Sequence, residues 1–224
     1  MRKILKNFAS AFLVPLTQWY LRKERKYTYR GTAITVLPGV FHPGMFSSTT
    51  FILEFLEQQV LTKKKLLEIG SGTGLISIRA AKANAQVTAS DLSLIAIENT
   101  AMNAKSNNAE IHIVHSDLFT QLEKDTFDWI IINPPYYAQN PKNENDLAWY
   151  CGENFEYFEK FFNQLNGYIA STSQVIIVLT KGCDLQKIFS LGKRAGFEFE
   201  LMKEKSVFFD EKDFLYRIRS KAFD

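Results

Sequence analysis

The sequence predicts an α/β fold whose sheet is mostly parallel, and three observations support that prediction. Short apolar runs of strand length alternate with segments whose apolar residues recur at helical spacing. Four successive runs end in glycine or polar motifs, at the strand ends where open α/β sheets bind ligands. Two alternating runs then close the sequence, which indicates a terminal antiparallel hairpin.

Length and composition predict one domain. The chain has 224 residues, 46% apolar and 14% aromatic, which is enough to bury a full α/β core. The net charge of +3 does not by itself indicate strong phosphate binding. Cys151 and Cys183 lie far apart and the three histidines lack a metal-ligand spacing, so we expect a reducing, cytoplasmic compartment and no metal. We divide the chain into an N-terminal extension, 1–32, and a domain, 33–224.

The N-terminal extension has two features. Basic residues precede a short apolar run, residues 8–14, and so imitate a signal peptide; because Pro15 breaks the run, we reject export and stable membrane insertion, with membrane-surface contact a minor alternative. Residues 19–30 interleave basic and aromatic side chains, which can grip a phosphate backbone. The alternative, slightly favoured, is a solvated helix end followed by an edge strand.

A glycine motif follows the first core strand, residues 64–67. It reads Glu68-Ile69-Gly70-Ser71-Gly72-Thr73-Gly74 and precedes a helical pattern that begins at Leu75. Backbone N–H groups and the helix dipole at such a turn attract an anionic or carboxylate-bearing ligand, and glycine permits close approach. Because Leu75 occupies the place of the third glycine in the dinucleotide fingerprint, nicotinamide and flavin dinucleotides are disfavoured.

Acidic residues end the next two strands. Residues 86–90 lead into Asp91, whose carboxylate can accept both hydroxyls of a ribose. Residues 111–115 lead into Ser116-Asp117-Leu118-Phe119, where Asp117 can accept from an adenine amino group while Leu118 or Phe119 covers the ring. Taken singly, each Asp is more often a helix cap or a solvated loop end.

The fourth strand, residues 127–132, runs directly into Asn133-Pro134-Pro135-Tyr136. Proline has no N–H, so the turn is rigid and rich in carbonyl acceptors, to which Asn133 adds a side-chain oxygen. Such a turn suits a planar NH2 group, which Asn133 and the Pro134 carbonyl would bind while the Tyr136 ring lies against its face. A surface Pro-Pro turn is the alternative, and the four aligned motifs outweigh it.

This ordered set of motifs resembles the class I S-adenosylmethionine-dependent methyltransferases of the "small domain" superfamily, over roughly residues 33 to 220. The resemblance implies a Rossmann-like, mostly parallel seven-stranded sheet with a C-terminal antiparallel hairpin and a short N-terminal helical or strand extension. It implies S-adenosylmethionine as cofactor and an acceptor site at residues 133–136. The implied cofactor residues are Thr49, Glu68, Gly70, Gly72, Gly74, Asp91, Leu92, Asp117, Leu118 and Asn133.

The resemblance leaves the acceptor open. Tyr136 and the segment from Tyr150 onward resemble HemK-like glutamine methyltransferases, which favours a protein substrate of the translation-factor class. Residues 37–50 instead resemble guanine-N2 methyltransferases of ribosomal RNA, so RNA or DNA nucleobases are the alternative. A non-catalytic binding module is a third hypothesis for the function. We expect the nucleobase hypothesis to be favoured if residues 19–30 border the cleft. The oligomeric state is not predicted.

The remaining elements alternate as expected. Residues 137–153 are rich in Asn and Lys and predict a mobile substrate loop. Phenylalanines recur at helical spacing over 155–165 and predict a core-facing helix. A buried strand over 175–179, a helix over 185–195 and a hairpin over 197–207 and 214–218 complete the prediction.

Overall fold

The computed structural model describes residues 22–207 and 211–223. A two-stranded antiparallel hairpin, β1 (Arg25–Tyr29) and β2 (Thr32–Val36), precedes the main sheet. This hairpin spans the boundary drawn between residues 32 and 33. The apolar run and the aromatic residues Trp19 and Tyr20 of the N-terminal extension lie outside the described residues.

Within the described residues, seven strands form one sheet: β3 (Lys65–Ile69), β4 (Gln86–Asp91), β5 (Ile111–His115), β6 (Trp129–Ile132), β7 (Gln174–Thr180), β8 (Phe197–Val207) and β9 (Glu211–Ser220). Their order across the sheet is β5-β4-β3-β6-β7-β9-β8. The strands from β3 to β7 are mutually parallel, and β9 runs antiparallel to both β7 and β8. The predicted fold class and the terminal hairpin are therefore confirmed.

Helices cover both faces of the sheet, because the central strands are apolar on both sides. The helices are α1 (Ser47–Leu56), α2 (Leu75–Lys82), α3 (Leu94–Ser106), α4 (Glu156–Leu165) and α5 (Leu185–Arg194). Residues of β3, β6 and β7 alternate between two hydrophobic clusters, one packed with α4 and α5 and the other with α1 and α2. Phe158, Phe161 and Phe162 are at most 1% exposed, so the predicted aromatic stripe is core.

Two buried asparagines of α3 hold the strand β2 and the residues that follow it. Asn103 accepts from the Thr35 N–H at 2.8 Å, and its Nδ2 donates to the Thr35 and Thr73 carbonyls. Asn99 accepts from the Leu37 N–H at 2.9 Å and also donates to the Thr35 carbonyl. These amides take the place of a strand partner, since buried backbone groups need partners. They fix the chain that leads from β2 to the cleft.

Residues 137–153, predicted as a mobile loop, form a compact folded segment. The Tyr137 N–H donates to the Trp149 carbonyl and the Cys151 N–H donates to the Tyr137 carbonyl, each at 3.0 Å. Asp146, which is 8% exposed, accepts from the Lys142 N–H at 2.9 Å. A 3-10 turn, Glu144–Asp146, lies at the centre of the segment.

No helix in the described ranges is both long enough and apolar enough to cross a bilayer.

Candidate active site

A cavity of about 480 Å³ lies at the carboxyl ends of β3, β4, β5 and β6. Parallel strands bring the motifs that follow them to one edge of the sheet, so residues distant in sequence share its wall. Twelve of the thirteen predicted site residues line it, namely Thr49, Glu68, Gly70, Gly72, Asp91, Leu92, Asp117, Leu118, Asn133, Pro134, Pro135 and Tyr136. Gly74 is the exception among them.

The glycine loop uses its glycines in two ways. All three have positive φ, with Gly70 and Gly74 at 76° and Gly72 at 53°. A Cβ on Gly70 would meet no atom within 4 Å, so this position faces open space. A Cβ on Gly74 would lie 2.8 Å from Cγ2 of Thr100, so Gly74 permits close packing on α3 and does not border the cavity.

Glu68 is buried beneath the loop, with 4% of its surface exposed. One carboxyl oxygen accepts from the Ser77 N–H at 2.9 Å and from the Ser77 hydroxyl, at the first turns of α2. Burial, and to a smaller extent the nearby Asp91, raise the pKa of Glu68 to about 8, although the hydrogen bonds from Ser77 lower it. At neutral pH the side chain therefore holds its proton in the folded protein.

The raised pKa of Glu68 predicts a pH-dependent stability. Between the ordinary pKa of 4.5 and the folded value of about 8 the folded state binds more protons than the unfolded chain, so stability is greatest below that window and falls as pH rises through it. The slope is at most about 1.4 kcal/mol per pH unit. The free energy of unfolding, measured with urea, should fall between pH 5.5 and pH 7.5 by a smaller amount in Glu68→Gln than in the parent protein, because glutamine does not titrate. An equal fall in the two proteins would contradict the raised pKa of Glu68.

Asp91 links the loop to the next helix. One carboxylate oxygen accepts from the Gly72 N–H and the other from the Ser93 N–H, both at 2.9 Å. Ser93 in turn caps α3 by accepting from the Ala96 N–H. Burial raises the pKa of Asp91, and the backbone donors oppose that rise. Asp91 thus borders the cavity and shapes the glycine loop. It also supports the start of α3, the role that the sequence analysis gave as the alternative to ribose binding.

The wall beyond Asp91 is formed by the β5 turn and α4. Asp117 forms an ion pair with Lys160 of α4. Leu118 has a φ of 55°, unusual outside glycine, and the Ser116 hydroxyl donates to its carbonyl at 2.8 Å. Tyr157 lies one turn before Lys160 and also lines the cavity. The sequence analysis did not identify Lys160 or Tyr157, because a helix pattern alone does not show which strand end a helix faces.

The Asn-Pro-Pro-Tyr turn forms the opposite part of the wall. Nδ2 of Asn133 donates to the Ser48 hydroxyl at 3.2 Å, which directs the amide nitrogen toward α1. The Tyr136 ring packs against Tyr137 with centroids 4.8 Å apart. Burial raises the pKa of Tyr136 well above its ordinary value, so the phenol stays neutral and is not a base at physiological pH.

The first turn of α1 also faces the cavity. Ser48 and Thr49 are each 6% exposed and line it. For the Thr49 hydroxyl, the described residues provide no hydrogen-bond partner. The N-cap residue, Phe46, supplies no side-chain acceptor for the first N–H groups of this helix. This turn therefore offers unpaired donors and a positive helix end to a ligand.

Carboxylates dominate the charge of the wall. Among the described residues that line the cavity, the charged side chains are Asp91, Asp117, Glu144, Glu156 and a single cation, Lys160, which is paired with Asp117. Glu68 also lines the cavity, in its neutral, protonated form. In residues 22–30, the described part of the basic-aromatic segment, no side chain lines the cavity. Tyr29 is 8% exposed, and Arg30 lies over its ring and pairs with Glu57.

The sequence model of the methyltransferase small domain family matches residues 31–191, well over half of the chain. The chain belongs to this family. Its similarity to an archaeal relative extends further. Over 177 residues it is 31% identical to a protein of Methanocaldococcus jannaschii whose name assigns it provisionally as a protein N5-glutamine methyltransferase, covering 76% of this chain and 89% of that one. The prediction of an S-adenosylmethionine-dependent methyltransferase is confirmed.

The names of other relatives of this small-domain methyltransferase assign them different methyl acceptors. It is 32% identical over 139 residues to the release factor glutamine methyltransferase of Lactococcus lactis, covering 56% of this chain and 51% of that one. It is 32% identical over 113 residues to ribosomal RNA small subunit methyltransferase C of Haemophilus influenzae, covering 49% of this chain and 33% of that one.

Solved structures agree on the fold. A 16S rRNA N2 methyltransferase of T. thermophilus in complex with AdoMet and guanosine superposes with a TM-score of 0.64 at 20% identity, covering 88% of this chain and 50% of that one. An E. cuniculi complex described as responsible for methylation of the eRF1 translation termination factor gives a TM-score of 0.61 at 18% identity. The superposition covers 81% of this chain and 99% of that one. At these identities the likeness concerns the fold alone.

Proposed function

We propose that this chain transfers a methyl group from S-adenosylmethionine to the N5 amide nitrogen of a glutamine side chain in a protein. The charge of the cavity wall carries the choice of acceptor. A nucleic acid brings one negative charge per phosphate, and proteins bind it by neutralising those charges with Lys and Arg. Among the described residues, this wall has more carboxylates than cations, and Lys160 is already paired with Asp117. A neutral carboxamide avoids the repulsion that a phosphate backbone would meet there.

The cavity fits the cofactor in size and in the chemistry of its donors. Its volume, about 480 Å³, lies within the range of small-molecule sites, roughly 300–1,000 Å³. Gly70 leaves open space beside the loop, and the unpaired Thr49 hydroxyl at the start of α1 suits a carboxylate. In this assignment Gly70, Gly72 and Thr49 would hold the methionine portion and Asp91 the ribose.

The adenine would occupy the part of the cavity between β4 and β5. Leu92 is 43% exposed at the end of β4, and Leu118 follows β5, so two apolar side chains are available to cover the ring faces. Asp117 would accept from the adenine amino group while its ion pair with Lys160 holds the carboxylate in place.

The Asn-Pro-Pro-Tyr turn would hold the acceptor amide. When bound, S-adenosylmethionine supplies an electrophilic methyl group, so a strong base is unnecessary. Asn133 Oδ1 and the Pro134 carbonyl would each accept one N–H of the glutamine carboxamide, which aims its nitrogen at the methyl group and raises its electron density. The neutral Tyr136 ring would cover the amide face and exclude water. As the nitrogen gains the methyl group, the bond between that carbon and the sulfonium sulfur would break, the electron pair would stay on sulfur and S-adenosylhomocysteine would be left. The methylated nitrogen would then release its proton to solvent.

Methylation of the amino group of a nucleobase is the second candidate. Phe41, Phe46 and Trp149 form an aromatic cluster beside the cavity, with Phe41 and Phe46 stacked at 5.0 Å and Trp149 within 5.5 Å of both. Such rings can stack on a base. An exocyclic amino group would make the same hydrogen bonds to Asn133 and Pro134 as a carboxamide.

Methyl transfer to protein or to RNA decides between these candidates. Purified enzyme and tritium-labelled S-adenosylmethionine would be incubated with a release factor bearing a Gly-Gly-Gln loop, the acceptor that the HemK-like resemblance implies, or with unmodified ribosomal RNA. We expect label in the release factor, and none in a matched factor in which the loop glutamine is replaced by glutamate. Label in the RNA alone would refute the glutamine assignment and support the nucleobase one.

A further inference from the structure

Ser48 lies in direct contact with the proposed catalytic amide. It is the second residue of α1 and is 6% exposed. Its hydroxyl oxygen accepts from Nδ2 of Asn133 at 3.2 Å, across 85 positions of sequence. Because this contact joins two distant elements, no local sequence pattern indicates it.

The contact holds the Asn133 amide at the cavity wall. The terminal torsion of asparagine is broad, so an amide without a partner would sample many orientations. With Nδ2 held by Ser48, Oδ1 is free to accept from the substrate nitrogen. We propose that Ser48 is the positioning residue that holds the Asn133 side chain in place with its oxygen available to the acceptor nitrogen.

The start of α1 is itself anchored, which keeps the Ser48 hydroxyl in place. Ser47 donates its hydroxyl proton to a carboxylate oxygen of Asp213 on β9, and Asp213 is 4% exposed. Thr50 donates its hydroxyl proton to the Ser47 carbonyl at 2.8 Å. The first turn of the helix is therefore tied to the main sheet on one side and to the Asn-Pro-Pro-Tyr turn on the other. The inference rests on the proposed role of Asn133 as a hydrogen-bond acceptor for the substrate NH2 group.

The test is a double-mutant cycle between Ser48 and Asn133. Ser48→Ala should lower kcat about 10- to 100-fold while KM and the Kd for S-adenosylmethionine change by less than about threefold. In the Asn133→Ala background the same substitution should change kcat less than about twofold, because the amide that it positions is gone. Ser190→Ala, which removes an exposed hydroxyl on α5 away from the cavity, is the matched control and should leave kcat unchanged. Equal loss of kcat in both backgrounds would overturn the proposal.

A second measurement does not depend on the substrate or on turnover. In ¹⁵N-labelled protein the side-chain NH2 signal of Asn133, identified by its loss in Asn133→Ala, should shift in Ser48→Ala and stay in place in Ser190→Ala. If the Asn133 signal does not move in Ser48→Ala, the proposal is overturned even if that variant is inactive. If Ser48→Ala fails to fold, the same signal is measured in Ser48→Cys. If the parent enzyme methylates RNA only, the glutamine assignment is refuted but the role of Ser48 is not. The double-mutant cycle is then run with RNA as the methyl acceptor.

Discussion

Asn133→Ala should abolish most turnover while leaving cofactor affinity within about threefold. The side chain supplies an acceptor to the nitrogen that gains the methyl group, so its contribution is made chiefly in the transition state. Removal of one such positioned hydrogen-bonding group in other enzymes lowers kcat by roughly 10²–10³-fold. Single-turnover kinetics with the labelled cofactor, together with calorimetric titration of S-adenosylmethionine, would measure the two quantities separately.

The matched control for Asn133 is Asn163→Ala. Asn163 is exposed on α4, so its removal should leave both turnover and affinity at the parent values. If Asn133→Ala lowers cofactor affinity as much as it lowers turnover, Asn133 is a cofactor-binding or structural residue and has no special role toward the acceptor.

Asp91→Ala should weaken S-adenosylmethionine binding by about 1–3 kcal/mol, the scale for losing charge-assisted hydrogen bonds, which corresponds to roughly a 5- to 150-fold rise in Kd. Two effects combine here. The variant loses the carboxylate assigned to the ribose and also the bond from the Gly72 N–H that shapes the glycine loop. Calorimetry with S-adenosylmethionine and with S-adenosylhomocysteine should give the same loss, because the two ligands share the ribose.

Asp125→Ala is the comparison for Asp91. Asp125 pairs with Lys65 at the opposite end of β3 from the cavity, so its removal should not change cofactor affinity. Unchanged affinity in Asp91→Ala as well would remove Asp91 from the binding site.

The elements that the sequence predicts well are those whose residues carry a local signal. The motifs at Gly70, Asp91, Asp117 and Asn133 each follow a strand visible from its apolar pattern, and parallel topology then brings their ends together. Even so, the sequence does not separate two roles within one motif. Gly72 borders the cavity, whereas Gly74, two residues later, is required by its packing against Thr100.

The residues that the sequence analysis missed act across long separations. Ser48 reaches Asn133 from α1, and Lys160 reaches Asp117 from α4. Neither has a distinctive neighbour in sequence, since Ser48 lies in an ordinary amphipathic helix start and Lys160 between core phenylalanines. Their roles follow from the packing of helices on the sheet, which periodicity predicts only as a buried face.

The amide pair on α3 has a consequence for how this protein tolerates change. Asn99 and Asn103 each satisfy both a donor and an acceptor of the β2 backbone or its continuation. Aspartate would lose the donor, glutamine would be one methylene too long, and leucine would leave buried polar groups without partners. Ordinary core positions accept several aliphatic side chains of similar volume. This helix face should therefore resist substitution more than the apolar core does, although it has no chemical role in methyl transfer.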